Sequence, residues 1–185
     1  MLVLVLVLAL VLGAEALKVE VLRAQDDGSP SQFTTFASMP SLRDQFADFE
    51  QSPPPELFGD PIWRLPAYRI ALFLSDIAQA DARLLTSSSC PPHIPVQLQR
   101  AVDSIGVNIA EGYSRFSGRE RARYYEIALG STREAREWYR RSMSWLGQSA
   151  ALERGYLLTR AIKILVTAIP QERTGSSEDR IRRAK

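Results

Sequence analysis

The sequence predicts an all-α protein: an antiparallel up-down four-helix bundle with a largely irregular N-terminal extension. Three observations carry this expectation. After residue 60, apolar residues recur at three- and four-residue steps in four separate segments. No run in that region reads as a strand bounded by turn signals. The connections are short, which favours antiparallel neighbours.

Composition narrows the field further. Of 185 residues, 45% are hydrophobic and 24% charged, which excludes disordered, collagen-like and multi-span membrane classes. A single cysteine, Cys90, excludes an internal disulfide or a Cys-rich metal site, and a single histidine, His93, excludes two-histidine chemistry. Neither Gly-x-Gly-x-x-Gly nor Gly-Lys-Ser/Thr occurs. No cofactor, metal, small-molecule substrate or catalytic residue is expected.

The net charge of +2 conceals an asymmetry. Residues 1–59 carry 8 acidic and 3 basic side chains, whereas 60–170 carry 10 acidic and 15 basic ones. The change near Asp60, just after Pro53-Pro54-Pro55, places a domain boundary there, with the prolines as a stiff linker. Residues 1–16 form an apolar N-terminal segment. Met1 to Leu12 is uniformly apolar, shorter than the roughly 20 residues a membrane span needs, and Ala14-x-Ala16 follows like a cleavage site. Since no basic residue precedes it, three readings stay open: a signal peptide, a misassigned start, or a non-targeting arm. Residues 17–59 are expected to be an irregular, poorly packed acidic extension, with a short helix over 44–50. The tail 171–185 is expected to be charged and frayed.

The first predicted helix covers about 65–86, with Ile70, Phe73, Leu74, Ile77, Leu84 and Leu85 on its apolar face. Ser87 to Pro95 reads as a loop. The second covers about 96–111, where Leu98, Val102, Ile105 and Ile109 make a stripe and Gly112 acts as the stop. The third runs from 117 to 146, opened by a Ser117/Glu120 capping box and closed by Gly147. Its Gly130 calls for close packing as compensation. The fourth runs from 150 to 169, has two apolar stripes, and ends at Pro170.

Beside the apolar stripe of the second helix lies a small and polar one: Ala101, Ser104, Asn108 and Glu111, at steps of 3, 4 and 3. Ser131 and Glu134 are three apart on the third. Buried polar groups must find partners, so these are expected to fix the register between the two helices. The carboxylates Glu111 and Glu134 could otherwise work as an acid/base pair, but no nucleophile or metal ligand accompanies them.

The run Ala101, Ser104, Ile105, Asn108, Ile109, Ala110, Glu111, Gly112, followed by Arg115 and Ser117 and then by Ala128, Gly130, Ser131 and Glu134, resembles a bacterial four-helix bundle family. That family comprises proteins encoded in the intervening sequences of 23S ribosomal RNA. The resemblance covers about 60–170. It implies a four-helix bundle, often a ring-like homopentamer, with no known enzyme activity. A related member, the accessory protein of diversity-generating retroelements, binds its reverse transcriptase and nucleic acid.

The region around the third helix is rich in arginine. Arg115, Arg119, Arg121, Arg123, Arg133, Arg136, Arg140 and Arg141 face only four glutamates between 115 and 141. Arginine offers phosphate a planar fork. Arg115, Arg119, Arg121, Arg123, Arg133, Arg140 and Arg141 are therefore the candidate nucleic-acid contacts. The competing reading is a solvated Arg/Glu face with pairs such as Arg133–Glu137 and Glu137–Arg141. The function expected is a non-enzymatic, cytoplasmic homo-oligomer that binds RNA or DNA, or a nucleic-acid enzyme such as a reverse transcriptase. The alternatives are a self-assembling or protein-docking bundle, or an exported protein.

Overall fold

The computed structural model describes residues 40–174. The chain divides into two units, Met1–Ser41 and Leu42–Lys185, and the described helices belong to the second. Expectations for residues 1–39 and for the tail beyond 174 lie outside the described residues.

The described residues are helical, without a strand among them. The helices are α1 (Leu42–Gln51), α2 (Pro66–Ser87), α3 (His93–Tyr113), α4 (Gly118–Arg141), the single turn α5 (Met143–Leu146) and α6 (Gln148–Thr174). Helix α3 packs along α2 and α4, while α6 packs along α4 and over a shorter stretch along α2. The apolar repeats meet in the middle. Ile70, Leu74, Leu98, Val102, Ile105, Ile109, Leu157, Leu158 and Leu165 are buried, each adding roughly 1.5–3 kcal/mol of transfer free energy. Helix α4 contributes Ala122, Ala128 and Ala135 at fully buried positions, so its neighbours approach its backbone closely.

Helix α1 departs from the expectation of poor packing. Leu42, Phe46 and Phe49 recur at i, i+4 and i+7. Phe46 is 1% exposed, its ring 5.3 Å from that of Phe73, and Phe49 meets the Phe73 and Trp63 rings at 5.4 Å. Arg160 lies 5.3 Å over the Phe46 ring, and Arg43 lies 4.5 Å over that of Tyr156. A ten-residue helix is marginal alone and is held by what it packs on. The compact unit therefore begins at Leu42, ahead of the composition change at Asp60. Asp60 caps the turn that leads into α2, its Oδ1 accepting the Ile62 N–H at 2.9 Å.

Several helix ends also differ from expectation. Helix α3 starts at His93, taking Ile94 and Pro95 from the expected loop. Gly112 does not stop it. It is buried inside the last turn, and a Cβ there would lie 2.9 Å from Tyr124 Cβ and Tyr125 Cε1, so the glycine serves close approach. Ser117 occupies the N-cap of α4 but makes no side-chain cap bond, so the capping box does not form. The long third helix breaks at Ser142, and Gly147, at φ +90°, closes the short α5. Gly130 is exposed with open space around it, so close packing does not compensate it. Pro170 sits inside α6, which continues to Thr174. The carbonyl its ring leaves unbonded, that of Val166, belongs to an exposed residue.

Candidate nucleic-acid interface and the α3–α4 seam

The polar stripe of α3 meets α4 through one chain of hydrogen bonds. Asn108 Nδ2 donates to the Ser104 carbonyl at 2.7 Å and to Ser104 Oγ at 3.0 Å. Ser104 Oγ lies 3.0 Å from Ser131 Oγ, and Ser131 Oγ donates to the Ile127 carbonyl at 3.1 Å. Each hydroxyl has a single proton, so the bonds run in one direction: Asn108 to Ser104, Ser104 to Ser131, Ser131 to Ile127. Ser104, Asn108 and Ser131 are half-buried and Ala101 is buried. These four make the seam that the spacing predicts.

Glu111 and Glu134 do not join it. Both are exposed. Glu111 pairs with Arg115 four residues on. The Tyr124 hydroxyl and the Arg115 guanidinium together hold its carboxyl below the usual range. Glu134 accepts from Trp138 Nε1 at 3.3 Å, on its own helix. The two carboxylates thus serve different partners, and nothing in their contacts makes them an acid/base pair.

The arginines divide into two sets. Arg121 is 7% exposed. Its Nε donates to Glu172 Oε2 at 2.7 Å, and its Nη1 to the Arg115 and Phe116 carbonyls at 2.8 and 3.1 Å. It ties the α3–α4 turn to the end of α6 and offers nothing to a ligand, contrary to the expectation. Arg115 is half-buried, bound to Glu111 and donating to Tyr124 Oη at 2.9 Å, with its guanidinium 4.9 Å over that ring. Gly118 belongs to the same knot: a Cβ there would fall 2.1 Å from the Glu172 carbonyl oxygen.

The second set faces water. Arg119, Arg123, Arg133, Arg140 and Arg141 are all exposed, and at 100° per residue they fall on one stripe of α4. From Arg119 to Arg141 the stripe is about 33 Å long at 1.5 Å per residue. Arg140 and Arg141 share Glu137, at 2.6 and 3.1 Å. These two guanidinium groups pull the Glu137 carboxyl down to about 2. Glu126, also on the stripe, pairs with Arg173. Arg133 does not pair with Glu137 as expected. No ion pair among the described residues involves Arg119, Arg123 or Arg133.

A buried cluster escaped the sequence reading. Asp81, 2% exposed, receives Arg154 Nε at 3.0 Å, Arg154 Nη2 at 3.1 Å and the Tyr139 hydroxyl at 2.9 Å. It joins α2, α4 and α6. Burial disfavours the Arg154 charge, but Asp81 outweighs this and raises its pKa. Burial, then the Asp81 charge, pushes the Tyr139 hydroxyl well above its usual value. The signal was present in the sequence: Asp81 continues the Leu74–Ala78–Leu85 repeat at a position where an apolar residue belongs.

Cys90 and His93, neighbours in sequence, part company. Cys90 is buried, which raises its thiol pKa. His93 is exposed and meets the Trp138 ring edge-on at 6.2 Å. The described residues hold no group of three or more His, Cys, Asp or Glu able to bind a metal, and no helix long and apolar enough to cross a membrane.

The family model described as 23S rRNA-intervening sequence protein matches residues 91–145. No curated protein and no solved structure matches the chain. The matched segment spans the whole seam, the α3–α4 turn and the arginine stripe. In motif and in model match alike, residues 91–145 are similar to the 23S rRNA-intervening sequence protein family.

Proposed function

We propose that this protein is a non-enzymatic adaptor whose α4 stripe binds the phosphate backbone of RNA or DNA and presents it to a nucleic-acid-processing enzyme in the cytoplasm. The observation that carries the reading is the alignment of Arg119, Arg123, Arg133, Arg140 and Arg141 on one exposed face. Three of these lack a carboxylate partner among the described residues, so their charge is available to phosphate without first breaking an ion pair. The folding frame for such a face is an up-down four-helix bundle. Support comes from the pairs that cross between α4 and α6: Arg121 with Glu172, Glu126 with Arg173 and Arg136 with Thr159. The first two pairs join the start of α4 to the end of α6, and Arg136–Thr159 joins a later part of α4 to an earlier part of α6, as antiparallel neighbours require.

Contacts to phosphate release counterions, so affinity falls as salt rises, with a slope of about 0.9 per contact on duplex DNA. Arg119→Glu, Arg123→Glu and Arg133→Glu together are expected to weaken binding to a structured RNA or a duplex and to flatten the salt dependence by about three contacts. Fluorescence anisotropy over a salt series reads both quantities. Wild-type protein whose binding ignores salt, or a triple variant that binds as the wild type does, overturns the proposal.

A further inference from the structure

Phe116 stands in the turn between α3 and α4. It is 92% exposed, more than any other large apolar side chain among the described residues. The backbone that carries it is fixed on both sides. Arg121 Nη1 donates to the Phe116 carbonyl at 3.1 Å and to the Arg115 carbonyl at 2.8 Å, while Glu172 holds Arg121 Nε. The Arg115 N–H donates to the Gly112 carbonyl at 3.0 Å. Gly118 lies against the Glu172 backbone with no room for a methyl group. In a loose loop a phenyl ring can fold back onto nearby apolar surface. Here the hydrogen bonds of the fold set the turn, and the ring stands out in water.

The surroundings of the ring are polar. Ser114, Ser117, Arg119 and Glu120 are all exposed. A protein-docking surface is a contiguous apolar patch of several hundred Å², which one ring among such neighbours does not make. What a solitary ring does offer is a π face. Cations stand beside it. Arg119 is three residues on, so its Cα lies within about 11 Å of that of Phe116. Arg119 and Arg123 head the exposed stripe of α4, and no ion pair among the described residues involves either. Tyr124 differs, since Arg115 already lies 4.9 Å over its ring. Phe58, 84% exposed, lies between α1 and α2 and not beside the stripe.

A cationic track with an aromatic ring at its head selects between forms of nucleic acid. In a duplex each base is stacked on its neighbours and shows only its edges. A single strand can lay a base on an aromatic ring while its phosphates follow the guanidinium groups. We propose that Phe116 is a base-stacking site, and that the ligand of the α4 stripe is a single-stranded stretch of RNA or DNA. One base lies on the ring, and the phosphates that follow run along Arg119, Arg123 and Arg133. The inference rests on the phosphate-binding reading of the stripe and adds to it the class of strand.

The test uses fluorescence anisotropy of the full chain over a salt series. Its probes are a labelled deoxythymidine oligonucleotide of about 20 nucleotides, longer than the sites such surfaces cover, and a duplex of equal length. Phe116→Ala is expected to weaken single-strand binding by about 5- to 150-fold, the span of one base–aromatic stack. The loss should be the same at every salt concentration, because no phosphate contact is removed. Duplex binding should not change. Phe116→Trp should keep the affinity, with its added indole emission quenched by the oligonucleotide. Phe58→Ala should bind as the wild type does. Arg119→Glu with Arg123→Glu and Arg133→Glu should instead flatten the salt dependence, by about 0.7 per contact on a single strand.

Three results for Phe116→Ala would overturn the stacking site. These are single-strand binding equal to that of the wild type, an equal loss on the duplex, and altered sedimentation, which would put the ring in a protein contact. An equal loss in Phe58→Ala would do the same. If only the triple arginine variant loses binding, the phosphate track stands and the stacking site falls. Wild-type protein that binds neither probe removes both.

Discussion

Arg154 grips Asp81 with both sides of its guanidinium, Nε to Oδ2 at 3.0 Å and Nη2 to Oδ1 at 3.1 Å. The carboxylate lies almost wholly out of water. Tyr139 completes its hydrogen bonding. Removing one member leaves a buried charge uncompensated, which costs about 3–5 kcal/mol, whereas replacing the pair with apolar groups can be nearly neutral. Asp81→Ala is therefore expected to lower unfolding stability by about that amount, and Asp81→Met with Arg154→Met by less than either single change. Urea unfolding followed by circular dichroism measures both. Additive losses would contradict the coupling.

Three glycines, all helical, should respond differently to alanine. Gly118→Ala drives a methyl into the Glu172 carbonyl, and Gly112→Ala into Tyr124 and Tyr125. Each is expected to destabilise by about 1–3 kcal/mol, the usual cost of overpacking. Gly130→Ala meets open space and should stabilise by up to about 1 kcal/mol through helix propensity. Thermal unfolding of the three variants distinguishes the cases by sign.

Across the seam, Ser131→Ala removes the acceptor of the Ser104 proton. The expected loss is about 1 kcal/mol. A double-mutant cycle of Ser104→Ala and Ser131→Ala should show coupling, since the two hydroxyls share one bond. Zero coupling energy would mean that the two helices keep register without it.

Glu137 offers a titration test. Its carboxyl is drawn down to about 2 from an ordinary 4.5, first by Arg140 and then by Arg141. A lowered folded-state pKa contributes stability that is present above 4.5 and is lost as pH falls through 2. The group is exposed, so the midpoint is a better readout than stability. Carbon-detected NMR should place it near 2 in the wild type and move it towards 4.5 in Arg140→Gln with Arg141→Gln. A wild-type midpoint at 4.5 would show the pairs to be absent in solution.

The four long helices are legible because burial imposes the same three- and four-residue rhythm on sequence and structure: Leu98, Val102, Ile105 and Ile109 follow it, and all are buried. Ser104, Asn108 and Ser131 are legible as a seam for the same reason. What escapes depends on contacts between distant residues. Nothing local tells Gly112, packed under two tyrosines, from a glycine that ends a helix, or shows that Phe46 of a short helix would find Phe73. The missing donor of Pro170 suggests a helix end, while the outcome turns on whether the orphaned carbonyl faces water.

The placement of Arg121 bears on how the charge of this surface should be probed. A scan that swaps every arginine of α4 for glutamate would include one whose guanidinium staples the interhelical turn to the last helix. Its loss would register as failed binding when the cause was local unfolding. Only substitutions that spare position 121 separate recognition from integrity.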